Sequence, residues 1–148
     1  MEPKHLHFDY RDRIVPKTKV GAHFQRDVEV RGEGGSEFVI IARQSAINPI
    51  DFSIILAVVP QDSYVRFRLR RYNGKAHPHR NHLEGGPRFY DFHIHMATER
   101  YQLSGDDEDT FAEPTDRFGS FDRALECFVD DCGVILPTDM ARAVRLFE

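Results

Sequence analysis

Two segments in the middle of this chain alternate apolar and polar residues with period two, and a stretch punctuated by glycine and proline joins them. From Val65 to Tyr72, Val65, Phe67 and Leu69 fall on one side, with Arg66, Arg68, Arg70 and Tyr72 on the other; further on, Phe92, Ile94 and Met96 alternate with Asp91, His93 and His95. This is the pattern of half-buried strands, in which successive side chains point to opposite faces. The intervening Asn73 to Arg88 carries Gly74, Pro78, Gly85, Gly86 and Pro87. A loop of that length inside a folded domain tends to be functional or disordered. If the two strands pair, the arginine row and the histidine row share one solvent-facing surface, roofed by a loop bearing His77, His79 and His82.

The rest of the chain supplies a sheet for these strands. Leu6, Phe8 and Tyr10 alternate as a first, edge-like strand, and Pro16 interrupts Val15 to Val20 as loop or strand edge. Phe24 to Val30 and Phe38 to Ala42 flank a turn at Gly32, Glu33, Gly34 and Gly35, which reads as a hairpin. That turn lacks the Lys and Ser/Thr of a nucleotide loop and precedes a strand, so it has no phosphate role. Phe52 to Val59 is apolar on both faces and reads as the central strand. Helical spacing appears only near the C-terminus. Ser120 is an N-cap for Phe121, Leu125, Phe128 and Val129, with Gly133 as the stop, and Thr138 and Asp139 open a second short helix through Phe147. The expected fold is a single α+β domain over 1–148: a mainly antiparallel sheet of about five to seven strands, packed on one face by two C-terminal helices.

Charge narrows the choice of partners. The 148 residues are 41% hydrophobic and carry a net charge of −4, which excludes a polycation that coats nucleic acid indiscriminately. The charge is polarised, however. Ser63 to Leu83 holds six basic residues and no acid, whereas Asp106 to Asp131 holds ten acids and two arginines. The run Asp106 to Asp109 reads as a solvated acidic turn in preference to a metal site or a guard over the basic face. Cys127 and Cys132, five residues apart on a helix, are about 140° apart around its axis and poorly placed to bond each other. That, with no signal pattern and no long apolar run, predicts a cytoplasmic protein without membrane association.

The order Arg71, Tyr72, Asn73, His77 or His79, Asn81, then His93-Ile94-His95, followed by Phe111, Ala112, Glu113 and Pro114 and a closing helix, resembles a group of small uncharacterised prokaryotic proteins. More loosely it resembles small toxins of type II toxin-antitoxin modules. That resemblance implies an RNA-directed or defence-linked activity and a possible neutralising protein partner.

Metal-independent RNA cleavage asks for a base, an acid and cations around a phosphate. Imidazole serves either proton transfer near neutrality, and the guanidinium fork grips phosphate oxygens. The expected catalytic set is His93 and His95, with His79 able to replace either. Arg66, Arg68 and Arg70 hold the phosphate, Tyr72 stacks on a base, and Asn81 completes the substrate-binding group; no cofactor is needed. Two alternatives use the same residues. One is a non-catalytic adaptor whose basic face binds nucleic acid or protein. The other is a metal site, since His77, Pro78, His79 and Glu84 match part of a cupin-like pattern and His-x-His strands build zinc and iron sites. The six nearby basic residues weigh against a dication.

Overall fold

The computed structural model describes residues 1–6 and 18–136. Strands β2 (Thr18–Val20), β3 (His23–Arg31), β4 (Glu37–Ser45), β5 (Phe52–Val59), β6 (Phe67–Asn73), β7 (His93–Met96) and β8 (Ala112–Pro114) form a seven-stranded sheet in sequential order, each antiparallel to the next. Two short strands, β1 (Lys4–His5) and β9 (Val134–Ile135), pair in parallel. The helices are α1 (Glu99–Leu103) and α2 (Phe121–Asp131). The α+β class, the antiparallel sheet and the hairpin at Gly32 to Gly35 agree with expectation. The continuation of the first strand through Phe8 and Tyr10, the interruption at Pro16 and the helix from Thr138 lie outside the described residues. Among those described, no helix is long and apolar enough to cross a membrane.

The α2 helix begins where the sequence says it must. Ser120 is extended and its side chain accepts the Arg123 N–H, and Gly133 ends the helix with φ +66. Phe121, Ala124, Leu125, Phe128 and Val129 recur at helical spacing and are buried against Phe52, Ile54, Leu56 and Tyr72. Central β5 is covered on both faces, as its unbroken apolar run requires: Ile54 and Leu56 face the helix, while Ile55 and Ala57 are buried on the other side. Lys4 is buried and donates to the Cys132 carbonyl at 2.8 Å, placing a cation at the carboxyl end of α2.

One irregularity decides which side chains share a face. Ala57 pairs with Arg68 and Leu56 with Arg70, so Leu69 is an extra residue in β6. Such a bulge reverses the alternation beyond it. Arg68 therefore shares a face with Arg71 and Asn73, while Arg70 and Tyr72 turn towards α2. The expected row of Arg66, Arg68, Arg70 and Tyr72 on a single face is corrected accordingly. Tyr72 is fully buried, its ring edge-on to Phe128 at 5.5 Å, and its hydroxyl donates to Asp131. Asp131 in turn accepts two bonds from Arg117, at 2.8 and 2.9 Å. Burial, with the bond to Asp131, pushes the Tyr72 phenol well above its ordinary range. A base has no ring to stack on there. Tyr72→Phe is expected to cost roughly 1–2 kcal/mol in urea unfolding, through loss of a buried bond to a charged group, while leaving any nucleic-acid affinity unchanged in a filter-binding assay.

Candidate metal centre

The register of β6 and β7 sets Asn73 opposite His93 and Arg71 opposite His95. All four side chains therefore lie on the sheet face away from α2. Sequence periodicity paired these histidines correctly with each other but placed them in solvent. They are buried instead, at 4% and 3% exposure, and Met96 on the opposite face is the exposed residue. The cause is tertiary: the long loop and the acidic turn fold over this face, which period-two alternation cannot foresee.

The loop is tied down by polar contacts. Gly74 starts it because β6 runs against the neighbouring turn, where a Cβ would lie 1.8 Å from the Ile50 carbonyl oxygen. His79 and Phe89 exchange backbone hydrogen bonds, both 2.9 Å. Asn81 accepts from the Ala112 N–H at 2.9 Å and donates to the same residue's carbonyl at 2.6 Å, so the loop is stitched to β8. Glu84 accepts from the buried Tyr101 hydroxyl, and His82 pairs with Asp106 at 3.0 Å, both joining the loop to the α1 region. This places the His79 ring against the two sheet histidines, stacked on His93 at 5.5 Å and edge-on to His95 at 4.8 Å.

The result is a convergence of three ring nitrogens. One from each of His79, His93 and His95 lies within 4.8 Å of the others. Hydrogen bonding sets the tautomers. His93 donates Nδ1–H to the Asp91 carbonyl and His95 donates Nδ1–H to the Asp109 carbonyl, each at 2.8 Å, which leaves both Nε2 atoms with a lone pair. At His79, Nε2–H donates to the Asn81 oxygen at 2.9 Å, leaving the Nδ1 lone pair. The Asn73 Nδ2 stands 3.5 Å from His93 Nε2 and 3.4 Å from His95 Nε2. A metal about 2.0–2.1 Å from each nitrogen would set tetrahedral neighbours about 3.3–3.4 Å apart. The Asn73 amide thus lies on the side from which a fourth ligand would approach. The 4.8 Å limit is wider than that edge.

Electrostatics favours the neutral, ligating form. Burial lowers the His93 pKa, and burial together with the Arg71 guanidinium and the other two imidazoles drives His95 down to about 2. The basic residues that argued against a dication are mostly engaged elsewhere. Arg66 pairs with Asp27 at 2.9 Å, and Arg70 lies across the sheet. Arg68 contacts Asp107 and Asp109, each at 3.3 Å, and Arg71 contacts Asp109 at 3.3 Å. The acidic turn, expected to be merely solvated, is therefore the counter-charge to the basic strand. Burial raises the Asp109 carboxyl above the ordinary carboxylate range, against the downward pull of Arg71 and Arg68, each 3.3 Å away.

Of the residues selected from sequence, His79, His93 and His95 meet, and Arg68 lies on their face. Arg66, Arg70 and Tyr72 do not join them. Asn81 is near but its amide is engaged with Ala112 and His79, so it positions a histidine. From the cupin-like pattern only His79 contributes; His77 is exposed at the rim of the adjoining pocket and Glu84 is held by Tyr101. Arg71, Asn73 and Asp109 were missed. Their signal was the parity that Arg71 and Asn73 share with His95 and His93, readable only once the pairing register is known.

No protein-family model matches the chain, and neither a curated protein nor a solved structure matches it. Function is therefore argued from the site alone.

Two measurements check this geometry. In the metal-free protein an unfolded His95 takes up a proton below its ordinary 6.5, whereas the folded residue does so only near 2. Stability is thus full above pH 6.5 and is lost as pH falls. His95 alone is expected to remove about 2 kcal/mol between pH 6.5 and 5, a slope that calorimetry should find flattened in His95→Gln. Asp109→Ala, which strands Arg71 while Arg68 keeps Asp107, is expected to cost about 3 kcal/mol in urea unfolding; a loss below about 1 kcal/mol, the range of an exposed pair, would count against the buried cluster.

Proposed function

We propose that His79, His93 and His95 bind one divalent transition-metal ion, zinc or iron(II), and that the protein uses it to activate a small molecule in the adjoining pocket. The observation that carries this is the convergence of one ring nitrogen from each of three imidazoles, with the far nitrogens of His93 and His95 each held by a backbone carbonyl. Ligating histidines are oriented in this way, the second ring N–H giving direction and basicity to the first. Three imidazole nitrogens and one further position suit a catalytic site better than a closed structural one. A cavity of about 230 Å³ is lined by all three histidines together with Arg71 and Asn73, so the metal would have access to substrate. Metal-bound water deprotonates near neutrality and provides a nucleophile, or the ion polarises a substrate oxygen. The free Cys127 and Cys132 fit a reducing, cytoplasmic setting.

RNA cleavage keeps one supporting observation: the exposed Lys75, Arg80 and Arg88 make the loop around this pocket basic. The metal-free version asks for a protonated imidazole near neutrality, which burial of His93 and His95 opposes. The two chemistries separate when RNA is incubated with the protein with and without EDTA.

Metal content by mass spectrometry after dialysis against zinc is expected to give one ion per chain and a raised melting temperature. His93→Ala and His95→Ala should each abolish uptake. Asn81→Ala, which releases the His79 ring, should weaken it roughly 10- to 100-fold. Wild-type stoichiometry in the double variant His93→Ala/His95→Ala would sink the assignment.

A further inference from the structure

The cavity beside the three histidines contains polar atoms that the protein itself leaves without partners. Asn73 Oδ1 is buried and makes no hydrogen bond. Arg71 contacts Asp109 through Nε alone, and its two terminal nitrogens have no partner among the described residues. Its side chain is a quarter exposed, and it lines the same pocket as the histidines. Buried polar groups in folded proteins are nearly always satisfied, and an unpaired oxygen beside unengaged guanidinium nitrogens marks the place of a missing polar partner.

The position of Arg71 selects the partner. It is the direct cross-strand neighbour of His95 on the same face, so the Cβ atoms of the two are roughly 5 Å apart. A planar guanidinium with two free terminal nitrogens matches a carboxylate through a pair of parallel bonds. The volume, about 230 Å³, falls below the roughly 300–1,000 Å³ of pockets that take drug-sized ligands. An acid gripped by Arg71 would therefore set the atom next to its carboxylate against the histidine nitrogens. Ser53 and His77 line the same pocket and offer bonds to its far end.

We propose that the pocket binds a small 2-hydroxy or 2-oxo carboxylic acid, with its carboxylate on Arg71 and its second oxygen directed at the metal beside Asn73. Arg71 is then a specificity-determining residue. Asp109 is a positioning residue, holding Arg71 by its carboxylate and His95 by its carbonyl. The inference rests on the metal assignment and adds the class of substrate.

The test is a titration of the full-length protein loaded with cobalt(II), read by its visible spectrum and by calorimetry. The probes are glycolate, pyruvate and oxalate, with ethylene glycol and acetamide as neutral controls. The acids are expected to shift the spectrum while the neutral controls do not. Arg71→Leu should retain one cobalt per chain and bind the acids roughly 10- to 100-fold more weakly, the effect of losing a charge-assisted pair. Arg71→Lys keeps the charge without the fork, guards against misfolding of the leucine variant, and should fall between the two. Cobalt uptake with no response to any of the three acids at about 10 mM, or equal affinity in Arg71→Lys and the parent, overturns the substrate class and leaves the metal centre standing. No cobalt uptake by the parent overturns both.

Discussion

The sheet face away from α2 depends on one carboxylate. The Asp109 side chain is wholly buried between Arg68 and Arg71, while its backbone carbonyl takes the Nδ1–H of His95. Two guanidinia on a strand would otherwise need water, and the face would remain open. With Asp109 in place the acidic turn closes over β6, the arginines are neutralised, and an imidazole is fixed in one tautomer. Removing both charges costs less than removing one, because the expensive state is a buried charge without its partner.

That arrangement also bears on how a metal ion could be held beside a strand so rich in arginine. A dication near unpaired guanidinia would be repelled, but here Arg68 is paired with Asp107 and Asp109, and Arg71, opposite His95, with Asp109. Asn81 and Gly74 serve the same purpose from the loop side. Asn81 anchors the loop to the backbone of β8 and aims His79; Gly74 lets the chain leave β6 against the Ile50 carbonyl. The site is thus built from four separated segments, and each histidine owes its direction to a different one.

Much of the architecture was legible in the chain because it follows from local periodicity. The alternating segments became strands, the doubly apolar Phe52 to Val59 became the buried centre, and Ser120 and Gly133 bounded the helix. The short α1 helix was not foreseen: five residues are too few for a 3.6-residue period to register, and its stability comes from Thr98 as N-cap and from the buried Tyr101. At the site, the side shared by His93 and His95 was legible, because residues two apart on a strand point the same way. The placing of Arg70 and Tyr72 beside Arg68 was not, because parity carries no information across a bulge.

By itself the sequence determined which segments form strands, where the chain turns, and that His93 and His95 act from one side of one strand. These are properties of the backbone repeat and of capping chemistry, which operate over a few residues. Only the tertiary structure decided that this side is closed, that Arg68 and Arg71 join it while Arg70 and Tyr72 leave it, and that His79 completes the cluster. Those outcomes turn on one extra residue at Leu69 and on a loop and an acidic turn folding back across β6 and β7. Long-range pairing of charge and the register between strands settle such matters, and neither is written in the spacing of residues along the chain.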